Sequence, residues 1–490
     1  MMQLYTTQST QAIERFAIDQ QSIPGLLLMK RAAYFSYQTL RRCYPDSQNV
    51  LVVCGTGNNG GDGLALAQYA LIDGCNVSIA LLGSQDKIKG DAQTCLQECL
   101  ALGLSPQPFD SALFENVDTI VDAVFGTGLN QPVTAEYAEI FERLNETHTP
   151  ILALDIPSGL QADTGNILGT AIRASHTCTF ITHKPGLYTY LGPETAGKIH
   201  FSPLFLSQNN YAEQSPIAES HSLKYWLNQL PKTPASSHKG TRGTLLLIGG
   251  NHHMMGAIQL ASLAALTTGA GLVKIITQPD HLTALTQAQP ELMTYTEHEF
   301  EQQAATANVI GIGPGLDQDD WAIDRFHDAL NHSSPKVLDA DALNLLAQSP
   351  QQQNHWVLTP HPGEAARLLG TSTETIQSNR IEAIKRLQQK YGGVIVLKGN
   401  GTLVYDGKQM ELCTAGNAGM AVGGMGDVLT GAITSFIAQG MALYPAACLA
   451  VSLHAHSGDT LANQKSQAGV IPSDLALVMS QLLSYASKNP

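Results

Sequence analysis

Short, wholly apolar runs that end in glycine or a carboxylate recur along this chain, and they leave few folds open. Asn49-Val50-Leu51-Val52-Val53-Cys54 runs into Gly55-Thr56-Gly57-Asn58-Asn59-Gly60-Gly61-Asp62-Gly63. Runs at about 117–121 and 150–154 stop at Asp122 and Asp155, and Lys336 to Asp339 repeats the pattern. Val309-Ile310 leads into Gly311-Ile312-Gly313-Pro314-Gly315, and Val394 to Leu397 into Lys398-Gly399-Asn400-Gly401-Thr402. Strands that are apolar on both faces belong to parallel sheets covered by helices on each side. The carboxyl ends of such strands converge on a ligand crevice, so the strand-end residues are the candidate site residues. The chain is expected to be an α/β enzyme.

Its 490 residues exceed one ordinary core; at about 150 residues per domain, two large domains are expected. The stretch from about 206 to 222 is polar and without period, which places the boundary there and the domains at 1–215 and 222–490. A formal net charge of −14 argues against a nucleic-acid partner, because such a surface repels phosphate backbones. The eight cysteines show no CxxC pair and read as reduced thiols. The N-terminus lacks a basic region followed by an apolar core, and no leader is expected. The most membrane-like run, Gly256 to Val273, carries Gln259, Ser262, Thr267 and Thr268 and suits a buried helix better than a span. A cytoplasmic protein without membrane association, forming a homo-oligomer, is the expectation.

In the second half, Asn417 to Gly431 packs glycines at 419, 423, 424 and 426 ahead of an apolar, helix-compatible run from Val428. A loop ending where a helix begins leaves backbone N–H groups unpaired at the positive end of the helix dipole. A phosphate or developing anion suits Gly424, Met425 and Gly426, and Asp427 then lies in the helix's first turn. A carboxylate beside an anion points to proton transfer or metal binding; the bland reading is a helix cap. His252-His253 reads as loop surface, since adjacent side chains point apart, and His454 and His456 as structural.

In the first half, Gly55, Gly57 and Gly60 satisfy the dinucleotide fingerprint of a dehydrogenase. That reading wants an acid after the next strand, and Asn76 to Leu82 ends in Gly83-Ser84-Gln85 instead. Asn58, Asn59 and Asp62 place amide and carboxylate oxygens in the turn, and oxygen-rich loops suit hard cations or hydroxyl-bearing ligands.

The run NNGGDG, DAVFGTGL, LDIPSGL closely resembles the N-terminal epimerase domain of NAD(P)H-hydrate repair enzymes, over about residues 7 to 210. The resemblance implies a Rossmann-like, three-layer α/β/α domain. It also implies a site for hydrated NADH or NADPH built from Asn58, Asn59, Gly60, Gly61, Asp62, Gly126, Thr127, Gly128, Leu129, Asn130, Gln131, Pro132 and Asp155. A potassium ion held by Asn59, Asp122 and Ser158 is implied as well. Asp155 is the candidate acid/base, with a lysine, Lys89, as helper.

GIGPGL, LTPHPGE, VLKGNGT and AGMAVGGMGDVLTG resemble the C-terminal domain of the same family, the ADP-dependent dehydratase with a ribokinase-like α/β fold, over about 225 to 488. By that resemblance Lys398, Gly399, Asn400, Gly401, Thr402 and Gly426 hold ADP with Mg2+. Ala257, Gly315, His361 and Asp427 meet the hydrated cofactor. Loss of hydroxide from the nicotinamide C6 is assisted by the ring nitrogen, so epimerisation needs only an acid/base beside it. Dehydration needs a leaving group: Asp427 takes the hydroxyl proton as the oxygen attacks a nucleotide phosphate, and the phosphate ester departs. The alternatives are a small-molecule kinase fused to a Rossmann-like domain and a nucleotide-sensing module.

Overall fold

The computed structural model describes residues 1–488 except 115, 233, 235, 237, 238 and 241; Thr241, in the segment read as the second domain's start, lies outside them. The chain divides into two compact units, Met2–Ala218 and Glu219–Pro490. That division falls inside the polar stretch at 206–222.

Helices α1 (Thr7–Asp19) and α2 (Gly25–Cys43) open the first unit, separated near Pro24 as its fixed backbone requires. The sheet follows: β1 (Asn49–Cys54), β2 (Asn76–Leu81), β3 (Gln107–Pro108), β4 (Thr119–Ala123), β5 (Ile151–Leu154), β6 (His176–Phe180) and β7 (Lys198–Ser202). Every pairing is parallel, in the order β3-β2-β1-β4-β5-β6-β7. Val50, Leu51, Val52 and Val53 are all buried, which explains their unbroken apolar run. One apolar cluster, around Val52, Leu64 and Leu152, lies under α2, and a second, around Leu51, Val53 and Phe141, covers the other face. The order reverses between β1 and β4, where a doubly wound sheet opens its crevice.

One sequence expectation fails here. The helix after β1, α3 (Asn58–Ile72), starts at Asn58, so Asn58 to Asp62 are helical and not a loop. Packing overrides the low helix propensity of glycine: a Cβ on Gly60 would lie 2.0 Å from the Gly55 carbonyl oxygen, and one on Gly61 would strike Met29 and Ala92. The helix docks this close only with glycine there.

The second unit repeats the logic with β8 (Thr244–Ile248), β9 (Leu272–Ile276), β10 (Leu292–Tyr295), β11 (Val309–Ile312), β12 (Lys336–Leu338), β13 (Trp356–Leu358) and β14 (Val394–Leu397). These are parallel, in the order β14-β13-β12-β11-β8-β9-β10. The antiparallel β15 (Leu403–Tyr405) and β16 (Met410–Leu412) extend the β14 edge. The Ala-rich run forms helix α6 (Met255–Thr267), which packs on the central helix α8 (Met425–Ala438). No helix among the described residues is long and apolar enough to cross a membrane.

Candidate functional site

At the β1/β4 reversal lies a cavity of about 1010 Å³. Asn58, Asn59, Asp62, Asp155 and the whole of Gly126 to Pro132 line it. Gly60 and Gly61 do not; their role is the close docking of α3. Lys89 is not brought to the cavity either. It is exposed at the N-cap of the helix Gly90–Ala101, so its side chain points to water.

The lysine that meets Asp155 is Lys184, which sequence reasoning missed. It follows the sixth strand and is 1 % exposed. Its Nζ donates to Asp155 Oδ1 at 2.6 Å, to Thr179 Oγ1 at 3.0 Å and to the Phe180 carbonyl at 2.7 Å. All three ammonium protons are thereby used. The Thr127 N–H donates to the other Asp155 oxygen at 3.1 Å. Asp155 itself sits at φ 63°, a left-handed conformation that an L-residue holds only where its surroundings impose it. Glu14 of α1 is a second missed residue: burial, then Asp155, raise its carboxyl above the ordinary value, with Lys184 opposing. Asp62 is raised well above its ordinary value, chiefly by burial and then by Asp155 and Glu14. The crevice thus gathers carboxylates around one committed cation.

Behind the cavity wall, Asp122 accepts from Ser158 Oγ at 2.6 Å and from the Ser158 N–H at 2.8 Å. Burial lifts Asp122 to about 6 against those hydrogen bonds. Both polar side-chain atoms of Asn59 are buried without a partner. A buried, unsatisfied amide oxygen, a buried carboxylate and a hydroxyl are oxygen donors of the type a hard cation takes, so the chemistry of these three residues fits potassium.

In the second unit the order reverses between β8 and β11, and Ala257 and Gly315 meet there: a Cβ on Gly315 would lie 3.1 Å from that of Ala257. Helix α8 begins at Met425, with Asp427 in its first turn. Its cap, Gly424, has φ 97°, and a Cβ there would fall 2.6 Å from Leu260 Cδ1. His454 bonds to the Met425 carbonyl at 3.0 Å and burial lowers its pKa to about 4; it buttresses the loop, as expected of a structural histidine. His252 and His253 are exposed with ring centroids 6.5 Å apart.

Lys398 is not a free phosphate clamp. Its Nζ lies 2.7 Å from Asp339 Oδ1 and 3.8 Å from Glu364. Asp339, fully buried at the end of β12, also accepts from Thr359 at 2.8 Å and Thr430 at 2.8 Å. Burial works against the charge on Lys398, but Asp339 and Glu364 outweigh it and raise its pKa. A Cβ on Gly426 would sit 3.2 Å from that Nζ, so the helix start and the lysine converge. Buried Arg380 donates to the carbonyls of Leu397 at 3.1 Å, Lys398 at 3.2 Å and Gly401 at 3.3 Å, and so shapes the 399–402 loop. Thr402 Oγ1 turns back onto the Gly399 carbonyl at 2.9 Å.

Glu364 is raised to about 7 by burial, with Lys398 opposing and Asp339 adding. It reaches back to the His361 N–H at 2.7 Å while His361 Nδ1 accepts from Gly363 N–H at 2.9 Å, a capping box on the helix Pro362–Leu369. The half-exposed His361 ring faces outward. Asp427 is raised to about 7, first by burial and then by Asp339, with Lys398 opposing. A carboxyl poised near neutrality in a helix's first turn is suited to accept a proton.

A doubly wound unit with an oxygen-lined crevice, followed by a ribokinase-like unit with a poised carboxyl at a glycine-capped helix start, defines a two-domain α/β enzyme. The family model described as NAD(P)H-hydrate dehydratase matches residues 245–480, and that of the YjeF-related protein N-terminus matches 25–186. Bifunctional NAD(P)H-hydrate repair enzymes from Coxiella burnetii and Escherichia coli K12 are 41% and 40% identical, covering 97% and 96% of this chain and 98% and 92% of theirs. A ribokinase-like superfamily protein from Enterococcus faecalis V583 superposes with a TM-score of 0.52 at 31% identity, covering 55% of this chain and 96% of that one. The chain belongs to the bifunctional NAD(P)H-hydrate repair enzymes. It pairs an epimerase of hydrated NAD(P)H with an ADP-dependent dehydratase, and the kinase alternative is set aside.

Proposed function

We propose that Asp155 is the acid/base of epimerisation and Asp427 the base of dehydration, each serving one half of the repair. In the N-terminal crevice, Asn58, Asn59, Asp62 and Gly126 to Pro132 bind hydrated NADH or NADPH. Lys184 holds one oxygen of Asp155 and the Thr127 N–H the other; the carboxyl hands a proton to the C6 hydroxyl as the C–O bond breaks, and takes it back when water adds to the other face. Asn59, Asp122 and Ser158 would hold potassium, which would supply fixed positive charge beside the buried Asp122.

In the C-terminal unit Asp427 removes the hydroxyl proton while the oxygen attacks the terminal phosphorus of ADP and displaces AMP. The C6 phosphate ester then breaks with help from the ring nitrogen, phosphate leaves, and loss of a proton from C5 re-forms the ring double bond. The loop Lys398 to Thr402 and Gly426 receive the nucleotide, with Lys398 delivering a charge already half-balanced by Asp339. Ala257, Gly315 and His361 contact the hydrated substrate. The carboxyl of Glu364, raised to about 7 by burial against the opposing Lys398, would suit Mg2+ arriving with the phosphates. The observation that carries this reading is the Asp427 carboxyl, poised at about 7 where α8 begins.

We infer a cytoplasmic location from eight free cysteines, small-molecule substrates only from the net charge of −14, and a homo-oligomer from exposed Leu27, Tyr34 and Phe205. The deciding experiment follows recovery of NADH absorbance from mixed hydrate epimers with and without ADP. Asp155→Asn is expected to spare ADP-dependent recovery of the S epimer and remove rapid recovery of the R epimer. Wild-type recovery of both would refute the assignment.

A further inference from the structure

We propose that Cys43, His176 and His200 form a zinc site on the N-terminal unit, at the end of the sheet opposite the epimerase crevice. Cys43 is the last residue of α2, His176 the first of β6, and His200 the middle residue of β7. Cys178 pairs with His200 in register, and His176, two residues before it, shares its face of the pleat. Both imidazoles therefore rise from the same face toward the end of α2. His176 Nδ1 lies 2.9 Å from His200 Nε2, and Cys43 Sγ lies 3.8 Å and 4.0 Å from those nitrogens. It is the one such group of three among the described residues.

Those spacings are close to what a metal imposes. Tetrahedral zinc at ~2.0–2.1 Å from nitrogen and ~2.3 Å from sulfur sets N···N near ~3.3 Å and N···S near ~3.5 Å. The three atoms need to move by about half an ångström to close on an ion, with the fourth position left to water. One thiolate and two imidazoles select a borderline-soft ion of the zinc type over magnesium or calcium. The unpaired carbonyls at the end of α2 also favour a cation there.

Two contacts oppose the ion. His176 Nδ1 and His200 Nε2 at 2.9 Å share a hydrogen bond, so one of them carries a proton that zinc has to displace. An Arg42 Nη2 donates to His200 Nδ1 at 3.3 Å, whereas a ring bound through Nε2 carries its proton on Nδ1. Arg42 is exposed and free to swing away, but its charge and this hydrogen bond weaken binding. Removing Arg42 and removing Cys43 should therefore shift zinc affinity in opposite directions.

The full chain is stripped with a chelator and titrated with Zn2+, and separately with Co2+ as an optical probe. One high-affinity equivalent is expected, with the intense visible bands of four-coordinate cobalt and a thiolate-to-metal charge-transfer band. Cys43→Ser should remove the charge-transfer band and weaken zinc by more than the ~10–100-fold typical of losing an outer-shell partner. Arg42→Ala should tighten binding several-fold, and neither variant should change epimerase turnover. Cobalt bound without a charge-transfer band, or zinc affinity unchanged in Cys43→Ser, overturns the proposal and assigns the metal to surface histidines. The wild-type cobalt spectrum decides the matter even if Cys43→Ser folds poorly.

Discussion

The two units use the same device, a carboxylate at the carboxyl end of a parallel strand, for opposite purposes. In the first, the strand-end acid Asp155 is also the proposed reactive group, clamped by Lys184 beside an open cavity. In the second, the strand-end acid is Asp339, and it is wholly engaged by Lys398, Thr359 and Thr430. The proposed reactive carboxyl is instead Asp427, in the first turn of α8. The difference follows from the partner each must meet. In the proposed epimerisation hydroxide leaves and returns at C6, and the protein has to handle only one proton there, for which a cation-paired carboxylate suffices. In the proposed phosphoryl transfer several negative charges arrive, so the lysine must be held in place beforehand, and a buried acid beside it does that.

The sharpest break between the halves comes from Asp427→Asn. Dehydration is expected to fall by ~10²–10⁴ or more, the typical loss with a general base, while epimerisation is untouched. ADP affinity, by calorimetry, should stay near wild type, because the substitution removes a negative charge from beside the phosphates. Near-normal turnover would make Asp427 a mere helix cap, which asparagine replaces well.

Next in size is Lys184→Met, the test of the clamp. Epimerisation should fall by roughly 10–100-fold, as when a residue that orients a functional group is lost. A loss of folded protein that accounts for the whole fall, with activity per folded molecule unchanged, would make Lys184 only structural. ADP-dependent dehydration is the internal control.

The strand-end acids were legible because apolar runs buried on both faces mark where a strand stops. Asp155 follows directly from that; the strand expected at 117–121 instead runs from Thr119 to Ala123 and holds Asp122 as its penultimate residue, because that carboxylate is paired with Ser158 and can stay inside the strand. The place of Asp427 follows from the glycines that precede an apolar helical run. Lys184 was not legible, since Thr182-His183-Lys184-Pro185-Gly186 looks like an ordinary turn. The signal available was its place after the run His176–Phe180, whose carboxyl end adjoins that of β5. Lys89 misled because it flanks a helix start, and nothing local tells a capping position from a crevice. Glu14 belongs to a helix outside the sheet pattern, and only tertiary packing brings it to Asp155. The helical start at Asn58 was hidden because glycine's propensity argues against it while its size permits it.

Smaller effects sharpen the comparison further. Exchanging potassium for lithium should slow epimerisation several-fold and leave dehydration unchanged, because a cavity set for a large cation suits a small one poorly; equal losses in both would remove Asn59, Asp122 and Ser158 from the metal site. The dehydratase kcat/KM should rise with pH through about 7, as Asp427 ionises. Glu364→Gln removes a negative neighbour that raises Asp427, so that midpoint should move down by a fraction of a unit. An unmoved midpoint would assign the titration elsewhere.

The smallest expected effect is one of stability, and it has the opposite sign to the loss of activity. Asp427 titrates near 7 in the fold against an ordinary value of 3.8, so the folded state holds its proton more tightly than the unfolded chain. Stability is then lost as pH rises from about 4 toward 7, and the full penalty persists above that range. Burial dominates the shift of this carboxylate, and the adjacent Asp339 and Glu364 add to it. Asparagine carries no charge and escapes the penalty, at the expense of a weak helix-dipole attraction. Asp427→Asn should therefore melt a few degrees higher than wild type at about pH 8 and equally at about pH 4. The relevant transition is the one that ADP shifts upward, which marks the C-terminal unit. Asp155→Asn should show no such gain, because Lys184 already neutralises that carboxylate and asparagine leaves the lysine buried without its partner. If both variants gained equally at high pH, the two carboxylates would be equivalent, and the contrast between a clamped acid and a poised one would not hold.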